Sequence, residues 1–129
     1  MSRRARTLLA LDGGAAGVVG VAELALLDRL PRWLGFPPTL VLLFALANVA
    51  YAAYSGTLAV RAACGRAPAL LAITVLVAAN ALWALVCMAV VVAMGSRASA
   101  LGVALVSAEG LFVAALAALE WRWVRPLGR

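Results

Sequence analysis

The sequence predicts an all-α, polytopic membrane protein: a four-transmembrane-helix antiparallel bundle forming one domain over residues 1–129. Three observations predict it. Four apolar stretches, Thr7–Leu27, Pro38–Val60, Pro68–Met94 and Ala98–Leu119, each reach the roughly 20 residues a spanning helix needs. Hydrophobic residues make up 67% of the chain, far above the roughly 45–50% of soluble domains, and such a surface would aggregate in water. The third observation is the placement of charge. All 11 basic residues are arginines, and with the N-terminus in the cytoplasm Arg3, Arg4, Arg6, Arg61, Arg66, Arg122, Arg125 and Arg129 fall inside. Only Arg29, Arg32 and Arg97 then fall outside, so the positive-inside rule puts both termini in the cytoplasm, N-in/C-in. With arginine the sole basic residue and alanine abundant, as in a GC-rich bacterial genome, the expected location is a bacterial inner membrane. The same distribution makes the net charge of +6 a topology signal and a contact with anionic lipid, with no nucleic acid as partner.

The first stretch follows Met1-Ser-Arg-Arg-Ala-Arg, which has the look of a signal n-region. Asp12 interrupts its apolar run and no clear small-x-small cleavage site follows, so it is expected to stay as the first spanning helix. The connection Asp28–Pro38 carries Pro31, Pro37 and Pro38 to break or start helices, with Trp33 and Phe36 suited to the interface. Between the second and third stretches Gly65 is the expected helix stop, and Pro68 stands near the next first turn. The turn Gly95-Ser-Arg-Ala is too short for anything but antiparallel neighbours. Beyond the fourth stretch, Trp121 and Trp123 interleave with Arg122 and Arg125 as an interfacial anchor. Cys64 and Cys87 are expected about 28 Å apart in depth, out of disulfide reach.

Polar groups inside the spans are the chemistry on offer. Asp12 and Glu23 are eleven residues apart, which returns to the same helical direction within about 20°. Beside that stripe run Gly13, Gly17 and Gly20, small residues that permit close backbone approach. Asp12 is expected to pair with Arg6 or Arg125, and Glu23 with Arg32 or Arg97. Glu109 falls near the middle of the fourth stretch, about 15 Å from either end, where a carboxylate must be paired, hydrated or protonated. Glu120 follows eleven residues later on the same face, at the inner interface. Asn48 and Asn80 also fall near the middles of their helices, so Glu109, Asn48 and Asn80 are expected to cluster, with Ser55 and Ser107 nearby. Either the cluster binds a proton or cation, or it is interhelical hydrogen bonding worth about 0.6 kcal/mol per bond. Tyr51, Tyr54 and Trp83 are suited to line a pocket for an aromatic or cationic ligand, or simply to fill the bundle.

A short echo joins two of these segments. Ala47-Asn48-Val49-Ala50-Tyr51 and Ala79-Asn80-Ala81-Leu82-Trp83 each set an aromatic three residues after an asparagine, on helices expected to run in opposite directions. In an alanine-rich chain composition alone also generates such echoes.

The chain has no histidine, and its glycine run Gly13-Gly14-Ala15-Ala16-Gly17 lacks the lysine and hydroxyl of a phosphate loop. No catalytic, cofactor-binding or metal-ligating set is therefore recognisable, and an enzyme is not expected. Leu11-Asp12 opening a small-residue helix, Leu34-Gly35-Phe36-Pro37, and Val77-Ala-Ala-Asn-Ala-Leu-Trp83 together resemble a group of small four-helix bacterial membrane proteins that supplies no activity to transfer. In size the chain is also similar to small multidrug-resistance transporters, four-helix dimers with a carboxyl in the first helix. It departs from them because Glu23 stands near the end of its helix and the central acid is Glu109. The first expectation is a non-enzymatic accessory or structural component bound to a second copy or to another membrane protein. The alternative is a small homo-oligomeric proton-coupled transporter using Glu109.

Overall fold

Five α-helices and one 3-10 turn make up the computed structural model, which describes residues 2–128. Met1 and Arg129, the latter among the arginines expected inside, lie outside the described residues. Helix α1 (Arg3–Ala25) begins four residues before the apolar run because Ser2 caps it, its hydroxyl accepting from the Ala5 N–H at 3.3 Å. The short α2 (Leu30–Leu34) forms within the expected connection. Pro31 fits its first turn, and Gly35 closes it at φ 71°, a left-handed conformation that suits glycine. Helix α3 (Pro38–Ala63) opens on proline, and Gly65 at φ 77° turns the chain toward α4 (Leu70–Met94). Helix α5 (Ala100–Trp123) is capped by Ser99, whose hydroxyl accepts from the Gly102 N–H at 3.0 Å, and a 3-10 turn at Arg125–Leu127 follows.

Four of these helices, α1, α3, α4 and α5, are long and apolar enough to cross a membrane. Their outward faces carry aliphatic side chains such as Val92 (79% exposed) and Leu71 (74% exposed), a surface that lipid solvates and water does not.

The helices associate as two close pairs, α1 with α3 and α4 with α5. Glycine makes both pairs close. A Cβ on Gly13 would stand 2.9 Å from the Gly56 nitrogen, and one on Gly20 would stand 2.8 Å from a Val49 methyl. In the other pair, a Cβ on Gly110 would stand 2.9 Å from that of Cys87. The expected glycine stripe of α1 is thus used against α3, with Gly17 in ordinary contact with Ala52. Two apolar clusters fill the interior. One gathers Leu9, Leu58, Ile73, Leu76, Leu116 and Val124; the other gathers Phe36, Val41, Phe44, Cys87 and Val106. Both cysteines are free, Cys64 exposed and Cys87 buried.

Gly20 and the neighbouring Gly14 provide a matched pair of tests. Gly20→Ala must push Val49 aside and is expected to cost about 1–3 kcal/mol, whereas a Cβ at Gly14 meets nothing within 4 Å. Thermal unfolding in detergent will therefore show a lowered Tm for Gly20→Ala and an unchanged or raised one for Gly14→Ala. Equal Tm values would remove close approach as the basis of the α1–α3 contact.

Candidate functional site

All four long helices send a polar side chain inward, and these side chains form two separate networks. In the first, Tyr51 of α3 donates its hydroxyl to Asp12 Oδ2 of α1 at 2.6 Å. Asn80 of α4 spreads its amide nitrogen between Asp12 Oδ1 and Glu120 Oε2 of α5, both at 3.1 Å. In the second, Asn48 of α3 bridges Glu23 of α1 at 3.3 Å and Glu109 of α5 at 3.1 Å. Trp83 of α4 donates its indole N–H to the same Glu109 oxygen at 2.7 Å. Each network is thus two carboxyls from two helices, joined by one asparagine and steadied by one aromatic donor.

Local helix geometry explains the division. Residues three apart share a helix face, so Asn48 with Tyr51, and Asn80 with Trp83, point inward together. Positions 12 and 23, like 109 and 120, share a stripe but lie about 16 Å apart along the axis at 1.5 Å per residue. One acid of each helix therefore belongs to each network. Phe44 packs its ring 4.8 Å from that of Trp83 and fixes the indole that holds Glu109.

The two networks differ in burial. Asp12 (2% exposed), Asn80 (1%) and Glu120 (0%) are sealed, whereas Glu23 and Glu109 are half-buried. Within the first network Glu120 Oε1 has no hydrogen-bond partner, and neither has the buried Ser55 hydroxyl beside Gly13. Asp12, Tyr51 and Asn80 of the first network and Glu23, Asn48 and Glu109 of the second line one cavity of about 770 Å³. The rest of its wall is apolar and aromatic, including Phe44 and Phe112.

Several expectations are corrected by this geometry. Asp12 pairs with neither Arg6 nor Arg125, and Glu23 with neither Arg32 nor Arg97; the only ion pair among the described residues joins Arg29 to Asp28 at 3.7 Å. The reason is directional: the arginines sit at helix ends, and the acids turn toward asparagine and tyrosine inside. Arg125 lies over the Trp121 ring at 4.0 Å and Arg4 over the Trp123 ring at 5.8 Å, where their charge meets an aromatic face. Glu120 is buried within the bundle. Asn80 joins Asp12 and Glu120, so Glu109 clusters with Asn48 alone of the two asparagines, and Ser107 enters neither network. Tyr54 is exposed and donates to the Ala72 carbonyl at 2.8 Å, away from the cavity. The asparagine–aromatic echo corresponds to a shared role, since both asparagines bridge acids and both aromatics donate to one.

Chemically, the arrangement offers acids able to accept protons or cations, amides able to orient them, and aromatic faces of the kind that attract cations. Among the described residues no three of His, Cys, Asp or Glu converge to hold a metal ion. No family model matches the chain, and neither a curated protein nor a solved structure matches it.

The bridging amide makes a specific energetic claim. Asn80→Ala removes two interhelical hydrogen bonds, about 0.6 kcal/mol each, and leaves two sealed carboxyls facing each other. Its loss of stability is expected at about 1–3 kcal/mol, larger than that of Tyr51→Phe, which removes one bond. Unfolding of the purified variants, followed by circular dichroism, orders the two; a Tyr51→Phe that melts below Asn80→Ala contradicts the bridge.

Proposed function

We propose that this protein is a multi-pass component of a bacterial inner membrane, an antiparallel four-helix bundle with both termini cytoplasmic, that exchanges protons for lipophilic organic cations. One observation carries the reading: four carboxyls without a cationic partner belong to networks lining an apolar, aromatic cavity of about 770 Å³. That volume falls within the roughly 300–1,000 Å³ of small-molecule sites. Ionised carboxylates without counter-charge cost several kcal/mol each in hydrocarbon. They are neutral when they hold protons, or when a cation lies against them. A monovalent cation entering the cavity therefore displaces one proton, and the charge of the site is unchanged. Phe44, Trp83 and Phe112 supply faces for the cation's apolar body.

The orientation is supported by the arginines, of which eight fall on the proposed cytoplasmic side against three outside. Antiparallel neighbours are supported by the contacts: Gly13 meets Gly56 and Gly20 meets Val49, so partners fall along α3 as they rise along α1. The competing reading, a non-enzymatic accessory component, takes its support from small-residue helix faces. At Gly13, Gly20 and Gly110 those faces are engaged within the chain. The cavity is built by one chain, so the carrier reading holds with or without a second copy.

Tetraphenylphosphonium is a suitable probe. Titrated into the purified full chain in weak buffer, it is expected to quench Trp83 fluorescence and to release protons. Glu109→Gln is expected to weaken binding about tenfold or more, equivalent to ~1.4 kcal/mol, with the helical spectrum retained. Binding without proton release, or an unchanged affinity in Glu109→Gln, contradicts the carrier reading. Orientation is tested separately. A cytoplasm-dependent fluorescent protein will mature at either terminus, and an export-dependent phosphatase fused at either terminus will stay inactive.

A further inference from the structure

The two networks correspond residue for residue, and the correspondence extends beyond them. Helix α5 follows α1 at a constant offset of 97 residues, and α4 follows α3 at 32. These shifts carry Asp12 onto Glu109, Glu23 onto Glu120, Asn48 onto Asn80 and Tyr51 onto Trp83. Each hydrogen bond of the networks then maps onto another. Asn48 to Glu23 becomes Asn80 to Glu120, Asn48 to Glu109 becomes Asn80 to Asp12, and Tyr51 to Asp12 becomes Trp83 to Glu109.

The same offsets match features outside the networks. The cap of α1, Ser2 accepting from Ala5, maps onto Ser99 accepting from Gly102. Gly13 closing on the Ser55 side chain maps onto Gly110 closing on Cys87. Five buried residues of α3, Val41, Phe44, Ala45, Asn48 and Ser55, map onto Ile73, Leu76, Val77, Asn80 and Cys87, which are all the buried residues of α4. The starting positions of α3 and α4 correspond as well, with Pro37 and Ala69 as their caps.

This is no tandem repeat, because α1 maps onto α5 and not onto α4. It is a two-fold relation of the folded bundle. Positions rise from 12 to 23 along α1 as their network partners on α5 fall from 120 to 109, so the operation turns the bundle end over end. Its axis crosses the helices, which is the inverted relation that carriers use to expose one site to alternate faces.

We propose that the two networks are two copies of one proton-and-cation site, exchanged by this internal two-fold, and that each copy opens to the opposite face of the membrane. The proposal rests on the carrier reading and adds its mechanism. Each site takes an acid and an asparagine or aromatic from both close pairs, so rocking α1–α3 against α4–α5 opens one site as it closes the other. The groups facing the first site are Asp12, Tyr51, Ser55, Asn80 and Glu120; those facing the second are Glu23, Asn48, Trp83, Cys87 and Glu109. Glu120 Oε1 and the Ser55 hydroxyl, sealed and without protein partners, supply the hydrogen-bonding capacity a bound proton or cation uses.

Ala47 and Ala79 are counterparts under the two-fold, and both line the cavity. In a Cys64→Ser, Cys87→Ser background, Ala47→Cys and Ala79→Cys are to be made singly in the full chain and reconstituted in vesicles of known orientation. A membrane-impermeant maleimide is then applied from either face. The expected result is reversal: the face that labels Ala47→Cys fails to label Ala79→Cys, and the other face does the converse. Labelling of both from one face, equal labelling from both faces, or no labelling at all overturns the exchange. A cation that still releases protons in that case leaves the carrier reading standing, so the two failures are distinguishable. If a cysteine variant does not elute as a folded species, carbodiimide labelling replaces it, since that reagent attacks protonated carboxyls in apolar surroundings. Two adducts per chain, one in each network, with one lost in the Glu23→Gln, Glu109→Gln double variant, support two copies. Adducts confined to one network overturn them.

Discussion

Four carboxyls turned inward without a cation to meet them are the constraint from which the rest of this structure follows. The chain carries a net charge of +6, so arginine is not scarce; it is kept at the helix ends, over Trp121 and Trp123 or beside Asp28. Inside, neutral donors take its place. One amide nitrogen has two hydrogens, and Asn48 and Asn80 each direct them to acids on two different helices. Helices α1 and α5, which otherwise touch lightly, are joined through these amides. Slipping any one helix along its neighbours would orphan a buried carboxyl, so the networks fix the register that aliphatic packing leaves free.

Packing and polarity divide the labour. Within each pair of helices glycine lets backbones meet, at Gly13 and Gly20 on one side and Gly110 on the other, and these contacts admit little sliding. Across the pairs lie the cavity and two hydrogen bonds, Asn48 to Glu109 and Asn80 to Asp12, of the kind worth about 0.6 kcal/mol each. A bundle built this way is stiff within pairs and compliant between them. That is the mechanical requirement for rocking, and it arises from where the small residues and the asparagines fall.

Much of the fold is legible in the sequence. Hydropathy located the four long helices, and their ends moved by a few residues where Ser2 and Ser99 extend a helix beyond its apolar run or a proline and glycine make the short α2. The stripe of Asp12 and Glu23 beside small residues was legible too, because it depends on period alone. Their partners were not. Period gives height and direction on one helix, and the identity of the neighbour across the gap is tertiary. The expected arginine pairs followed from height alone and failed for that reason. The relation between α1 and α5 was hidden differently: Asp replaces Glu, Ala replaces Gly, and at equivalent α3 and α4 positions Tyr replaces Trp and Ser replaces Cys. Ser2 and Ser99, Gly13 and Gly110, and Glu23 and Glu120 keep their identity, but they are too scattered along an apolar helix to stand out, unlike the compact Asn-x-x-aromatic pair.

The differences between the two copies bear on the mechanism as much as the likeness does. A bundle with perfect two-fold symmetry would present its sites at equal exposure, yet Asp12 and Glu120 are buried while Glu23 and Glu109 are half-buried. If the sites are exchanged by rocking, inequality of this kind is required of any single state, since one site closes as the other opens. The described arrangement is then one of two end states, and its mate has the Asn48 network sealed and the Asn80 network open. The chemical differences set the balance between them. Tyr51 offers a hydroxyl that both donates and accepts where Trp83 offers an indole that only donates, so a protonated Asp12 can keep or reverse its bond to Tyr51, whereas a protonated Glu109 keeps Trp83 as a donor alone.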